Sequence, residues 1–211
     1  MTTFYTIGHS NREPQTVVIM LKDAGVSFVA DVRAFPRSRS NPTFNVDVFP
    51  DFLKDQGITY RHFPRLGGRR KKQPGVGDAL NAFWRVQSFH NYADYALSPE
   101  FQSALRELED LGADLAVALM CSEAVWWRCH RRLITDYLLA RGHKVVHLMV
   151  PGREQDAVLS EGAVVQPDCD IHYPDTTGTE ESSAQPHQPA PLCLCEKLAY
   201  RENPARALHQ G

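Results

Sequence analysis

Five short strand-like segments alternate with helical periodicity along this chain, and that alternation is what most restricts its fold. These segments are residues 4–7, 26–31, 58–62, 114–120 and 144–150. Helices are expected between them. One has Pro14 in its first turn, Val17, Val18, Met20 and Leu21 as its apolar face, and Gly25 just past its end. Others are expected over 46–56, ending at Gly57, and over 77–95. A further helix is N-capped by Ser98 with Pro99 at its first position, and another spans 127–140 and stops before Gly142. Strands alternating with helices favour an α/β domain. The expectation is an open, mainly parallel sheet of about five strands with helices on both faces, over residues 1–173. Right-handed crossovers then gather the strand-to-helix loops along one edge. Ligands of open parallel sheets bind at that edge.

Four of the expected strands end in polar clusters. The first is Gly8-His9-Ser10-Asn11-Arg12. A helix cap there needs only Ser10 or Asn11, so His9, which can donate, accept or exchange a proton near neutral pH, is a candidate catalytic group. The second runs from Asp31 through Arg33 and Arg37 to Arg39. A strand-end carboxylate suits orienting a neighbour, and three closely spaced arginines suit bidentate recognition of phosphate or carboxylate, although charged loops are often merely solvated. The third, from Tyr60 to Lys72, is the one strongly basic stretch, and Gly67-Gly68 within it would let backbone amides approach an anion. Tyr60, Phe63 and Trp84 are possible stacking surfaces for a base.

The fourth cluster, from Cys121 to Arg132, holds two thiols, a carboxylate, an imidazole and three guanidinium groups. Cys121 at a strand end is a candidate nucleophile. As small buried residues, either cysteine could equally be structural. Glu123 and His130 are costly to bury without partners. No metal is assigned: Cys121 and Cys129 are eight residues apart, and Cys129-His130 are neighbours that, on a helix, would point about 100° apart. Trp126 and Trp127 are read as packing residues.

Composition excludes several classes. Apolar residues make up 43% and charged residues 23% of the 211, as in ordinary globular proteins. The net charge of -2 gives no global attraction to nucleic acid or membrane, so any such attraction must be local. No apolar run approaches the roughly 20 residues of a membrane span, and no membrane association is expected. The first residues lack the layout of a secretion signal, and five cysteines do not form a stapling pattern, so a cytoplasmic setting is expected. Residues 174–191, rich in Thr, Ser, Glu and Pro, are expected to be a flexible linker, and 192–211 a short tail.

Thr6-Ile7-Gly8-His9-Ser10, Asp31-Val32-Arg33 with Pro36 and Ser38-Arg39, Leu66-Gly67-Gly68, and Cys121 with Glu123 and then Cys129-His130-Arg131 together resemble the domain-of-unknown-function 488 family (DUF488). The resemblance covers residues 4–173. It implies an α/β fold, a cytoplasmic bacterial-type protein and motifs clustered at one sheet edge, but no reaction and no cofactor. Trp126-Trp127 depart from the more polar residues expected between the two cysteines. Asp31-Val32-Arg33 is also similar to a stretch in rhodanese-type sulfurtransferases.

The leading expectation is an enzyme acting on a phosphate-bearing substrate, a nucleotide or a nucleic-acid end. Arg33, Arg37, Arg39 and Arg131 would hold the anion; Glu123 and His9 would do acid-base or nucleophilic work, with Asp31 orienting a partner. Ser10, Gly67, Gly68, Cys129 and His130 are further ligand-binding candidates, and Cys121, Cys129 and His130 would shape the site or respond to redox state. The alternatives are a non-catalytic nucleotide or nucleic-acid binding module and, behind it, a thiol or metal redox sensor or a sulfurtransferase-like protein.

Overall fold

Side-chain alternation along the central strands divides the core into two layers, since successive strand residues point to opposite sheet faces. In strand β4 (Val117–Cys121) every residue is buried. Val117, Leu119 and Cys121 join one apolar cluster, and Ala118 and Met120 join the other. The first layer lies under helices α3 (Gln87–Ala96), α4 (Pro99–Asp114) and α5 (Arg131–Ala140). The second lies under α1 (Pro14–Asp23) and α2 (Phe49–Asp55). Helix α4 approaches so closely that a Cβ on Gly112 would sit 2.7 Å from Phe4 Cε1.

The computed structural model describes residues 1–175. The expected tail, and the expected linker beyond Asp175, lie outside the described residues. The sheet order is β3 (Thr59–His62), β2 (Phe28–Asp31), β4, β1 (Thr3–Gly8), β5 (Lys144–Val150) and β6 (Arg153–Asp156). The first five strands are parallel, as expected, with helices on both faces. Strand β6 adds an antiparallel edge to β5. All four of its residues, Arg-Glu-Gln-Asp, are exposed, so it carries no apolar pattern by which it could be read, and its charges suit an unpaired edge. A separate two-stranded ribbon joins β7 (Val164–Val165) to β8 (Ile171–His172). Among the described residues no helix is long and apolar enough to cross a membrane.

Ser98 caps α4 as expected: its hydroxyl accepts from the Phe101 amide at 3.3 Å. Other helix starts differ. The helix expected from residue 77 begins only at Gln87, because the buried Asn81 is tied to Asp94 Oδ1 and to the Tyr173 amide. The helix expected from 127 begins at Arg131, after a 3₁₀ turn over Trp126–Arg128 and an extended Cys129. That expected from 46 starts at Phe49, with Pro50 in its first turn.

Chain direction creates the crevice. The connections after β1 and β2 lead to α1 and α2 on one face, whereas that after β4 leads to α5 on the other. Neighbouring strands whose loops part in this way leave a gap beyond their carboxyl ends. Beyond the sheet, the His9 amide still donates to the Cys121 carbonyl and the Ser10 amide to the Ser122 carbonyl, both at 2.9 Å.

Candidate functional site

The gap beyond β1, β2 and β4 is a cavity of about 1010 Å³. His9, Ser10, Arg33, Arg37, Gly68, Cys121, Glu123, Cys129 and His130 line it, so all four sequence clusters reach one hollow. Asp31, Arg39, Gly67 and Arg131 are not on its lining. Arg39 is exposed, and Gly67 is buried, where a Cβ would meet the Ala34 Cα at 2.9 Å.

Asp31 and Arg33 form a closed unit. The carboxylate, wholly buried, accepts from the Arg33 amide at 3.0 Å, from Arg33 Nη2 at 2.6 Å and from the Tyr60 hydroxyl at 2.6 Å. Arg33 Nη2 also donates to the Phe44 carbonyl, and Nη1 lies 3.2 Å from His9 Nε2. Little of this guanidinium is left for a ligand. Burial pushes the Tyr60 phenol up, and the Asp31 charge adds to the shift.

His9 is buried and stacks on the Phe44 ring at 4.2 Å. Its Nδ1 lies 2.9 Å from the Ser10 carbonyl, which can only accept, so Nδ1 carries the hydrogen. Nε2 is then the acceptor for Arg33 Nη1. Burial first, and the Arg33 charge second, bring the His9 imidazole down to about 4. It is a neutral ring with both nitrogens engaged. Ser10 beside it adopts a φ of 48°, uncommon for a residue with a side chain, and its carbonyl also accepts from Asn41 Nδ2.

Arg131 is almost wholly buried and has no carboxylate partner among the described residues. Nη2 donates to the Glu123 carbonyl at 2.5 Å and Nη1 to Thr6 Oγ1 at 3.4 Å, while Nε points at Cys129 Sγ from 3.4 Å. It therefore braces the loop after β4 from within. Arg12 adds a brace from the other side, donating to the carbonyls of Gly8 and Met149.

Cys121 and Cys129 are buried free thiols. Burial alone would raise the Cys129 thiol, but the hydrogen bond from Cys121 and the charge of Arg131 outweigh it and bring it down to about 6. Cys121, bonded to that neighbour and buried, goes up to about 12. Of the two buried thiols Cys129 is the more acidic. His130 Nε2 lies 2.8 Å from the Val32 carbonyl and so donates to it, and Nδ1 faces Cys129 Sγ at 3.7 Å. One donor atom each from Cys121, Cys129 and His130 falls within 4.8 Å of the others. Sequence spacing set Cys129 and His130 on one helix; because Cys129 is extended and the helix starts after His130, the two side chains meet instead.

The rim is where free charge lies. Arg37 pairs with Asp47 at 2.9 Å on the surface. Arg69, whose guanidinium lies 5.5 Å from the Phe35 ring centroid, and the exposed Arg128 line the cavity with no carboxylate partner among the described residues. The Glu123 side chain is exposed on the same lining. Ser38, Ser40, Thr43, Ser88, Phe89 and Tyr92 lie on the same lining, as does a second acidic residue, Glu13. Sequence reasoning flagged the segments holding Arg69 and Arg128 without singling them out. Ser88, Phe89 and Tyr92 come from α3, which carries no polar motif that could have pointed to them.

A model of the family described as "Domain of unknown function DUF488" matches residues 13–138, more than half of the chain. The chain belongs to the DUF488 family. No curated protein and no solved structure matches it. The DUF488 match contains Arg33, Gly68, Cys121, Glu123, Cys129 and His130, hence three of the four clusters, while β1 with His9 and Ser10 precedes it.

Proposed function

We propose that this DUF488 protein is an enzyme acting on a phosphate-bearing substrate, a nucleotide or a nucleic-acid end, held in the crevice beyond β1, β2 and β4. One observation carries the reading: a cavity of about 1010 Å³ lined by two arginines, Arg69 and Arg128, that no carboxylate among the described residues neutralises. Cations without partners at the mouth of a cleft attract anions, and planar guanidinium groups suit phosphate oxygens. In this reading Arg69 and Arg128 grip the phosphate, and Arg37 supports them. Arg33 and Asp31 hold His9 and shape the wall. Glu123, exposed on the lining, is the acid-base or nucleophilic carboxylate, and His9 is a positioning group because both of its ring nitrogens are engaged.

The test is thermal unfolding of the full chain at low salt with nucleoside mono-, di- and triphosphates, 5′-phosphorylated oligonucleotides and inorganic phosphate. A ligand at 100 times its Kd stabilises by about 2.7 kcal/mol. Binding should fall steeply with added salt and be lost in the Arg69→Glu, Arg128→Glu double variant. No stabilisation by any phosphate compound, or equal stabilisation of the double variant, defeats the proposal. Binding without turnover, unaffected by Glu123→Gln, would instead favour the non-catalytic binding module.

A further inference from the structure

We infer that Cys121, Cys129 and His130 form a binding site for a thiophilic divalent cation of the zinc class at the floor of the crevice, with a fourth coordination position open to the cavity. The three donor atoms already converge within 4.8 Å, from the end of β4 and from the turn before α5. A tetrahedral zinc site with Zn–S near 2.3 Å and Zn–N near 2.0–2.1 Å has an S–N edge of about 3.6 Å. Cys129 Sγ and His130 Nδ1 are 3.7 Å apart. The widest separation in the cluster needs to close by only about 1 Å to reach such an edge.

Three further features fit. His130 donates through Nε2 to the Val32 carbonyl at 2.8 Å, which fixes the tautomer and leaves the Nδ1 lone pair for a metal. A backbone carbonyl on the far ring nitrogen is the usual outer partner of a metal-bound histidine. Gly68 keeps the space beside that nitrogen clear, since a Cβ there would lie 2.9 Å from Nδ1. Arg131 Nε, 3.4 Å from Cys129 Sγ, supplies a hydrogen bond to a metal-bound sulfur. Two sulfurs and an imidazole select zinc-like ions over magnesium or calcium, which take oxygen ligands. All three residues line the cavity, so the remaining position faces solvent and not the core. A cation there would offer a Lewis-acid contact to an oxygen of a bound phosphate, and that clause alone rests on the function proposed above.

The experiment takes the full chain, reduced and stripped with a chelator, and titrates it with Co²⁺ and then with Zn²⁺ as competitor. No phosphate ligand is involved, so this inference and the phosphate reading can fail separately. Expected are one Co²⁺ per chain, a sulfur-to-cobalt charge-transfer band, visible bands of tetrahedral intensity, and displacement by Zn²⁺. Cys121→Ser, Cys129→Ser and His130→Ala should each weaken Co²⁺ binding at least about tenfold, the low end of what losing even an outer partner costs. Should those variants fail to fold, alkylation of the wild-type chain mapped by mass spectrometry decides, because Zn²⁺ must protect Cys121 and Cys129. The inference is overturned if the reduced protein shows no charge-transfer band at excess Co²⁺, if the bands survive in the folded variants, or if Zn²⁺ leaves both thiols equally reactive.

Discussion

Asp31→Asn is the sharpest perturbation of the wall between β2 and the crevice. The substitution keeps the shape of the side chain and removes its charge. In the native protein that charge is wholly buried and faces Arg33, whose side chain is only 4% exposed. Two Arg33 nitrogens, the Arg33 amide and the Tyr60 hydroxyl all donate to it. An amide has one acceptor oxygen and turns an NH₂ donor toward one of these donors, leaving a buried guanidinium without a counter-charge. Removing one partner of a buried pair costs about 3–5 kcal/mol. With a urea m-value of about 2 kcal/mol/M, the unfolding midpoint should fall by about 2 M. Tyr60→Phe deletes one bond to the same carboxylate and should cost less, about 1.5–3 kcal/mol. Urea unfolding followed by circular dichroism at pH 7 measures both. If the Asp31→Asn variant unfolds within about 0.3 M of the wild type, Asp31 does not hold Arg33, and the assignment of Arg33 to the wall rather than to a ligand is wrong.

Further predictions concern the rim and the pH response. Gly8→Ala would set a Cβ 2.6 Å from the Glu123 carbonyl carbon and 2.9 Å from the Ala124 Cα, both backbone atoms that no rotamer change can move, so it should cost at least the roughly 1–3 kcal/mol of ordinary overpacking in a thermal melt. An unchanged melting temperature would contradict the close approach of β1 to the loop after β4. His9 titrates near 6.5 when unfolded and near 4 when folded, so the unfolded chain takes up the proton first, and its contribution, complete above pH 6.5, is lost as pH falls toward 4. The wild type should lose about 3 kcal/mol more than His9→Gln across that window, and parallel pH profiles of the two would refute the buried neutral ring. Buried Asp136, raised to about 6 chiefly by desolvation, acts in the opposite sense over part of the same range, which is why the comparison uses the variant and not the wild type alone. Glu123→Gln should leave stability within about 0.5 kcal/mol, because its side chain is exposed, yet abolish turnover of any substrate found; full turnover would remove Glu123 from the catalytic role.

Much of the fold was legible residue by residue. Residues 117–120, just before Cys121, are apolar at every position because β4 is covered on both faces, and a continuous apolar run is the pattern such a strand must have. Ser98-Pro99 announced the start of α4 through one local hydrogen bond. Strand β6 was invisible because a strand exposed along its whole length needs no apolar residue, and the late start of α3 was invisible because Asn81 is anchored by Asp94 and Tyr173.

The candidate site divides along the same line. That His9, Arg33, Gly68 and Glu123 would reach one hollow followed from short-range information, since parallel strands with right-handed crossovers bring their carboxyl ends to one edge whatever the loops contain. Which charges remain free there did not follow. Arg33 and Arg131 look like anion holders in the sequence, but Asp31, Phe44 and His9 engage the first, and Thr6, Cys129 and Glu123 the second. Arg69 and Arg128 form no ion pair among the described residues, although Glu13 and Glu123 line the same cavity. Cys121, Cys129 and His130 meet because the chain is extended at Cys129 and does not enter a helix until Arg131. Periodicity and capping act over a few neighbouring residues and are written into the sequence. The pairing of buried charges and donors is set by which distant segments pack together, and only the folded chain decides that.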